Sequence, residues 1–96
     1  MHAVVRNYTG QGASQLFSEI ESRVGDVESI IRAVPGFVSY TLLRTDDGGI
    51  SVTVCQDKAG TDASIQAAAD FIRQNITAQG NPPAVSEGDT ILHINS

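Results

Sequence analysis

Along this chain the spacing of apolar positions switches between a period of two and steps of three and four, and glycine or proline marks each switch. "HAVVRNY" (His2 to Tyr8) is rich in β-formers and is closed by "TGQG", which predicts a first strand. From Ser14 onward Leu16, Ile20, Val24, Val27, Ile31 and Val34 recur at helical steps, with Glu19, Glu21, Arg23, Glu28 and Arg32 falling largely elsewhere. One amphipathic helix to Val34 is predicted, with Gly25 tolerated inside it at a cost of about 1 kcal/mol relative to alanine. Pro35 and Gly36 stop that helix. "FVSYTLLRT" and "GISVTVC" then flank "DDGG", a hairpin with Asp47-Gly48 in a primed turn. That register pairs Leu43 with Val52 and Thr41 with Val54, leaving Tyr40, Leu42, Arg44, Thr53 and Cys55 on the other face.

A second helix is predicted from about Ala63 to Ala78, capped by Thr61 or Asp62, with Ile65, Ala68, Ala69, Ile72 and Ile76 as its apolar face and Phe71 at the margin. "QGNPP" ends it. "AVSEGDTILHIN" (Ala84 to Asn95) reads as the last strand, bulged or bent at Gly88. The order β-α-β-β-α-β specifies an α+β fold, the ferredoxin-like sandwich: a four-stranded antiparallel sheet with two helices on one face, residues 1–96 forming a single domain. Both faces of the strands carry apolar groups, Val4 against Val5 and Leu42 against Leu43, while two helices cover only one of them. A homodimer through the sheet face is the expected second cover.

Composition narrows the function. Six Lys+Arg against eleven Asp+Glu give a formal charge of -5, with the cations scattered, so no nucleic-acid partner is expected. No apolar run reaches the roughly 18 residues of a membrane span, and "MHAVVRNY" lacks the pattern of a secretory leader. Cys55 is the only cysteine, which suits a reducing compartment, and a cytoplasmic protein without membrane contact is expected.

The stretch "IIRAVPGFVSYTLLRTDDGGISVTVCQDKAGTD", together with "PPAVSEGDTILHI", resembles the small bacterial proteins of the dimeric α/β-barrel superfamily, close to antibiotic biosynthesis monooxygenase-like (ABM-like) domains. The similarity spans nearly the whole chain, and its best marker, "VPGF", is structural and does not report activity. The resemblance implies a dimeric α/β barrel with a ligand cavity between each sheet and its helices. It implies one of three roles: a cofactor-independent oxygenase of aromatic polyketides, a haem-degrading enzyme, or a small protein of no known activity. Asn7 matches the first-strand asparagine of the haem degraders, but the chain has no tryptophan and "ASIQAAADFIRQNI" has no histidine to ligate iron, so haem cleavage is disfavoured.

Asn7, Tyr40 and His93 are the candidate ligand-binding residues; no catalytic residue is assigned, and no metal or cofactor is expected. Asn7 shares parity with Ala3 and Val5, which reads as the helix-facing side of the first strand, where a buried amide needs partners. Tyr40 is suited to donate to a substrate oxygen, yet its register reads as dimer-facing, with Arg6 and Arg44 on the same side. His93 stands alone, without a second ligand at metal spacing. Cys55 reads as a small buried group, because only Lys58 is near in sequence to lower its pKa. Two functions follow: a cofactor-independent monooxygenase acting on a small aromatic or polyketide-like substrate, or a non-catalytic dimer that binds a small apolar or aromatic ligand or a protein. Enzyme status stays open.

Overall fold

The first strand, β1 (His2–Tyr8), buries its even-numbered residues His2, Val4, Arg6 and Tyr8 and leaves Ala3, Val5 and Asn7 on the more open side. In the computed structural model, which describes residues 1–78 and 80–96, β1 lies inside a sheet completed by β2 (Phe37–Thr45), β3 (Gly48–Cys55) and β4 (Ala84–Asp89). The strand order is β2-β3-β1-β4 and every pairing is antiparallel. Three helices, α1 (Ala13–Glu21), α2 (Val24–Arg32) and α3 (Lys58–Asn75), cover one face: α1 packs on β3, α3 on β3 and β1, and α2 against β2 and α3. This is the α+β ferredoxin-like sandwich expected from the element order.

The single long helix expected from Ser14 to Val34 is instead two, broken at Ser22 and Arg23. Ser22 Oγ donates to the Glu19 carbonyl at 2.6 Å, a local bond that competes with the helical ladder, and Arg23 leaves helical geometry at φ -129°, ψ 27°. Gly25 lies beyond the break, in the first turn of α2. Gly36 takes φ +72° between α2 and β2, the left-handed geometry that glycine supplies at a helix stop.

The hairpin is right in kind and shifted in register. Thr45 pairs with Gly48, so the loop is Asp46-Asp47, and neither aspartate takes positive φ, which excludes the primed turn. Leu43 therefore pairs with Ile50 and Thr41 with Val52. Helix α3 starts earlier than expected because Asp57, extended at φ -148°, caps it by accepting from the Gly60 N–H at 3.1 Å. Thr61 and Ser64, buried inside that helix, donate back to the Lys58 and Thr61 carbonyls. Phe71, expected at the margin, is in the core. The helix ends at Asn75, before the expected Ala78, and the Thr77 and Ala78 N–H groups donate to the Glu19 carboxylate of α1. Gln79 of the "QGNPP" break lies outside the described residues.

Strand β4 stops at Asp89 rather than running to Asn95, and no bulge interrupts its register at Gly88. The Thr90 N–H still donates to the Met1 carbonyl. Ile91, Leu92 and Ile94 are left 98%, 74% and 77% exposed.

Candidate functional site

The alternation along β1 brings Arg6 to the middle of the sheet's helix-facing side, opposite Ser51 of β3 and Val85 of β4. Its Nε donates to Ser51 Oγ at 3.1 Å, and the two residues are 3% and 1% exposed. Tyr8, two residues on, lies over Gly49 in the register. Gly49 has no side chain for a reason of space: a Cβ there would stand 2.1 Å from the Phe17 ring. The glycine lets Phe17 of α1 rest directly on the sheet, tilted by 60° against Tyr8 with ring centroids 5.5 Å apart.

Between this floor and the helices lies a narrow cavity of about 30 Å³, where Arg6, Ser51 and the phenols of Tyr8 and Tyr40 meet apolar walls from Phe17 and Phe71. The cavity is continuous in its lining with two grooves. One, of about 310 Å³, shares Tyr40 and Leu42 and is bordered by Val24, Glu28, Arg32 and Phe37. The other, of about 550 Å³, shares Arg6 and Tyr8 and is bordered by Leu16, Ile65, Asn81 and Pro83. The inner space takes water or one polar end of a ligand, and the grooves take the body.

The charge balance here is unlike that of the rest of the surface. Arg23, Arg32, Arg44, Lys58 and Arg73 each reach a carboxylate. Among the described residues none lies within ion-pair distance of Arg6. Burial pushes the Tyr8 and Tyr40 phenols above their ordinary range, and the positive charge of Arg6 opposes that rise in both. Both tyrosines are thus neutral hydrogen-bonding groups near pH 7.

The faces expected of Tyr40, Arg6 and Asn7 are corrected by this geometry. Tyr40 and Arg6 line the cavity under the helices and do not face the open side of the sheet. Asn7 is exposed on the open side, opposite Ile50 and Ala84, away from the cavity. His93 sits beyond β4, half-buried, with Nε2 enclosed and unpartnered among the described residues. Tyr40 alone of the three reaches the cleft, while Arg6, Ser51 and Tyr8 were missed as site residues. One signal was available: Tyr8, a large aromatic that ends β1 above the Gly48-Gly49 pair, shares parity with Arg6. Cys55 is fully buried, and burial followed by the Asp57 charge raises its thiol pKa, which fits a packing role.

Among the described residues no group of His, Cys, Asp and Glu is arranged to hold a metal ion, and no helix is long and apolar enough to cross a membrane. No family model and no curated protein matches the sequence. Solved structures do match. The Streptomyces coelicolor monooxygenase from the gene ActVA-Orf6, in complex with Nanaomycin D, superposes with a TM-score of 0.66 at 22% identity over 99% of this chain and 90% of that one. The Mycobacterium tuberculosis heme-degrader MhuD, with two hemes in its active site, gives 0.66 at 20% identity over 99% and 100%. A dimeric ferredoxin-like protein from an uncultured marine organism gives 0.64 at 13% over 99% and 96%. At such identities the likeness shows a shared fold, the ferredoxin-like one.

Proposed function

We propose, from this ABM-like fold, that residues 1–96 form one domain whose cleft binds a small aromatic or polyketide-like molecule and oxidises it as a cofactor-independent monooxygenase. The observation that carries the reading is the cleft itself: a buried arginine, a serine and two neutral phenols line an apolar space that shares its walls with two grooves. Such donors stabilise charge that develops on a substrate oxygen, as the chemistry requires. In the simplest case an anthrone methylene loses two hydrogens and gains one atom of O₂ as a carbonyl, and the second oxygen atom leaves as water. The substrate supplies all four electrons that reduce O₂, so no external reductant is needed. Tyr40 contacts the ligand from the groove side.

The protein acts as a homodimer in the cytoplasm, its open sheet face, with Val5, Leu43, Ile50 and Val52, covered by a second copy. Leu43 is 41% exposed in the single chain, and a dimeric relative of the same fold supports this assembly. Val52→Lys is expected to yield a monomer by analytical ultracentrifugation, and a wild-type protein that sediments as a monomer at micromolar concentration removes the dimer. The second reading, a binding protein without turnover, is favoured by one feature: the cleft holds no acid–base pair beyond tyrosines and an arginine. An oxygen electrode separates the two. Oxygenase function requires protein-dependent O₂ uptake on an anthrone, matched one to one by quinone and reduced at least tenfold in Tyr40→Phe. Tight anthrone binding with no uptake leaves the binding protein.

A further inference from the structure

Arg6 is an anomaly in the free protein. A guanidinium 3% exposed, at the junction of a narrow cavity and a wider groove, is costly without a counter-charge, since burial removes most of its hydration. Among the described residues, no neighbouring element supplies one. On its own strand the titratable neighbour is Tyr8, on β2 it is Tyr40, and burial keeps both phenols protonated near neutrality. β3 offers the hydroxyl of Ser51 and β4 offers Val85. From the helices the cavity receives Phe17, Ile20, Val27, Ile31, Phe71 and Ile72, all apolar. Glu28, at the rim of the groove beside Tyr40, is already bound to Arg32 Nε at 2.7 Å. Ser51 engages the Arg6 Nε and Tyr40 is a further hydrogen-bonding neighbour, but both are neutral hydroxyls and neither supplies a counter-charge.

We infer that the missing partner is the ligand, and that Arg6 makes the cleft select small aromatic molecules whose acidic hydroxyl is held ionised. The ionised oxygen occupies the inner cavity against Arg6, within reach of the Tyr40 and Tyr8 hydroxyls, and the ring lies in the groove. This rests on the proposed cleft and adds to it the charge of what the cleft holds, whether or not oxidation follows.

The test uses the full chain with 4-nitrophenol, whose phenolate is read by its own visible absorbance, and 4-nitroanisole, which has a similar shape and cannot ionise. Bound nitrophenol is expected to ionise about one pH unit or more below free nitrophenol, a tenfold preference for the anion. Nitroanisole is expected to bind at least tenfold more weakly than the phenolate. Arg6→Met abolishes the preference, so that the two probes bind alike, whereas Arg6→Lys keeps part of it; Ser51→Ala, which keeps the charge but frees Nε, weakens it. Circular dichroism checks that each variant is folded. Equal affinity of the wild type for phenolate and anisole, or an undiminished shift in folded Arg6→Met, overturns the inference and leaves the cleft standing. Failure of both probes to bind removes the cleft as a ligand site, and the proposed function with it. Anion preference without O₂ uptake on an anthrone overturns the oxygenase alone.

Discussion

Two basic side chains project from the same face of β1, four residues apart, and the molecule treats them in opposite ways. His2, at the end beside the sheet edge, is enclosed by its own chain: Nε2 meets Glu87 at 2.8 Å, Nδ1 lies 3.4 Å from Asp89, and Glu87 is shared with Lys58 at 3.4 Å. Arg6, at the centre, is more deeply buried and has only the neutral hydroxyls of Ser51 and Tyr40 beside it. A charge whose partners are built into the fold ties elements together; here the pairs hold β4 to β1 and α3. A charge buried without partners costs stability in the free protein, and that cost is recovered only when something else arrives. A ligand site is therefore sought where one buried charge is left over and not where charges cluster.

Damage at the Arg6 end of β1 should leave the His2 end unmoved. Gly49→Ala sets a methyl against the Phe17 ring, which is itself 4% exposed and boxed in by Tyr8, so the ring has little room to yield. A loss of about 2–4 kcal/mol is expected in denaturant unfolding, because overpacking of a closed core is relieved only by backbone shifts. The His2 resonances of the folded protein should keep their titration. A Gly49→Ala protein of wild-type stability refutes the tight floor described for the cleft.

A smaller effect with the opposite sign sharpens the contrast. Arg6→Met replaces an unpaired buried charge by an apolar chain of similar reach, and a gain of about 1–3 kcal/mol is expected in the ligand-free protein. Stability would rise while anion binding is lost, the pattern of a residue kept for function. Destabilisation by Arg6→Met would mean that the guanidinium already has its partner in the free state, and the two ends of β1 would then be alike.

How much of this contrast the sequence carried depends on where its signals are single-valued. Element order was legible, because "TGQG", "VPG" and "DDGG" fall where the apolar period changes. The faces were not. Val4 stands beside Val5 and Leu42 beside Leu43, so either parity gives an apolar side, and a strand read with the wrong parity exchanges every residue between the faces. That degeneracy sent Arg6 and Tyr40 to the dimer side and Asn7 under the helices. The break between α1 and α2 was hidden for a similar reason, since Val24 and Val27 continue the helical spacing across it and only Ser22 marks it locally. The partners of His2 were out of reach of sequence because Glu87 and Asp89 lie more than eighty positions away and meet it only through the β1–β4 register.

The gentlest test concerns those partners and is read by pH. The bond to Glu87 raises the His2 pKa, against the opposing effect of burial, and Asp89 adds to the rise. A raised pKa means that the folded state holds this proton more firmly: the contribution is complete below the ordinary histidine value of about 6.5 and fades as pH climbs through the folded value above it. Glu87 is shifted the other way, first by His2 and then by Lys58, so its contribution is complete above about 4.5 and is lost as pH falls through the lowered value. Between these limits both are at full strength. After correction for intrinsic exchange, the backbone amides that bond β4 to β1 should be best protected from hydrogen exchange near pH 5 to 6 and open more readily toward pH 8. His2→Ala should flatten that dependence above pH 6 while leaving amides around Arg6 and Ser51 unchanged, since no such pair exists there. A β4 profile that follows the same course in wild type and His2→Ala would show that the edge is held by its backbone ladder alone.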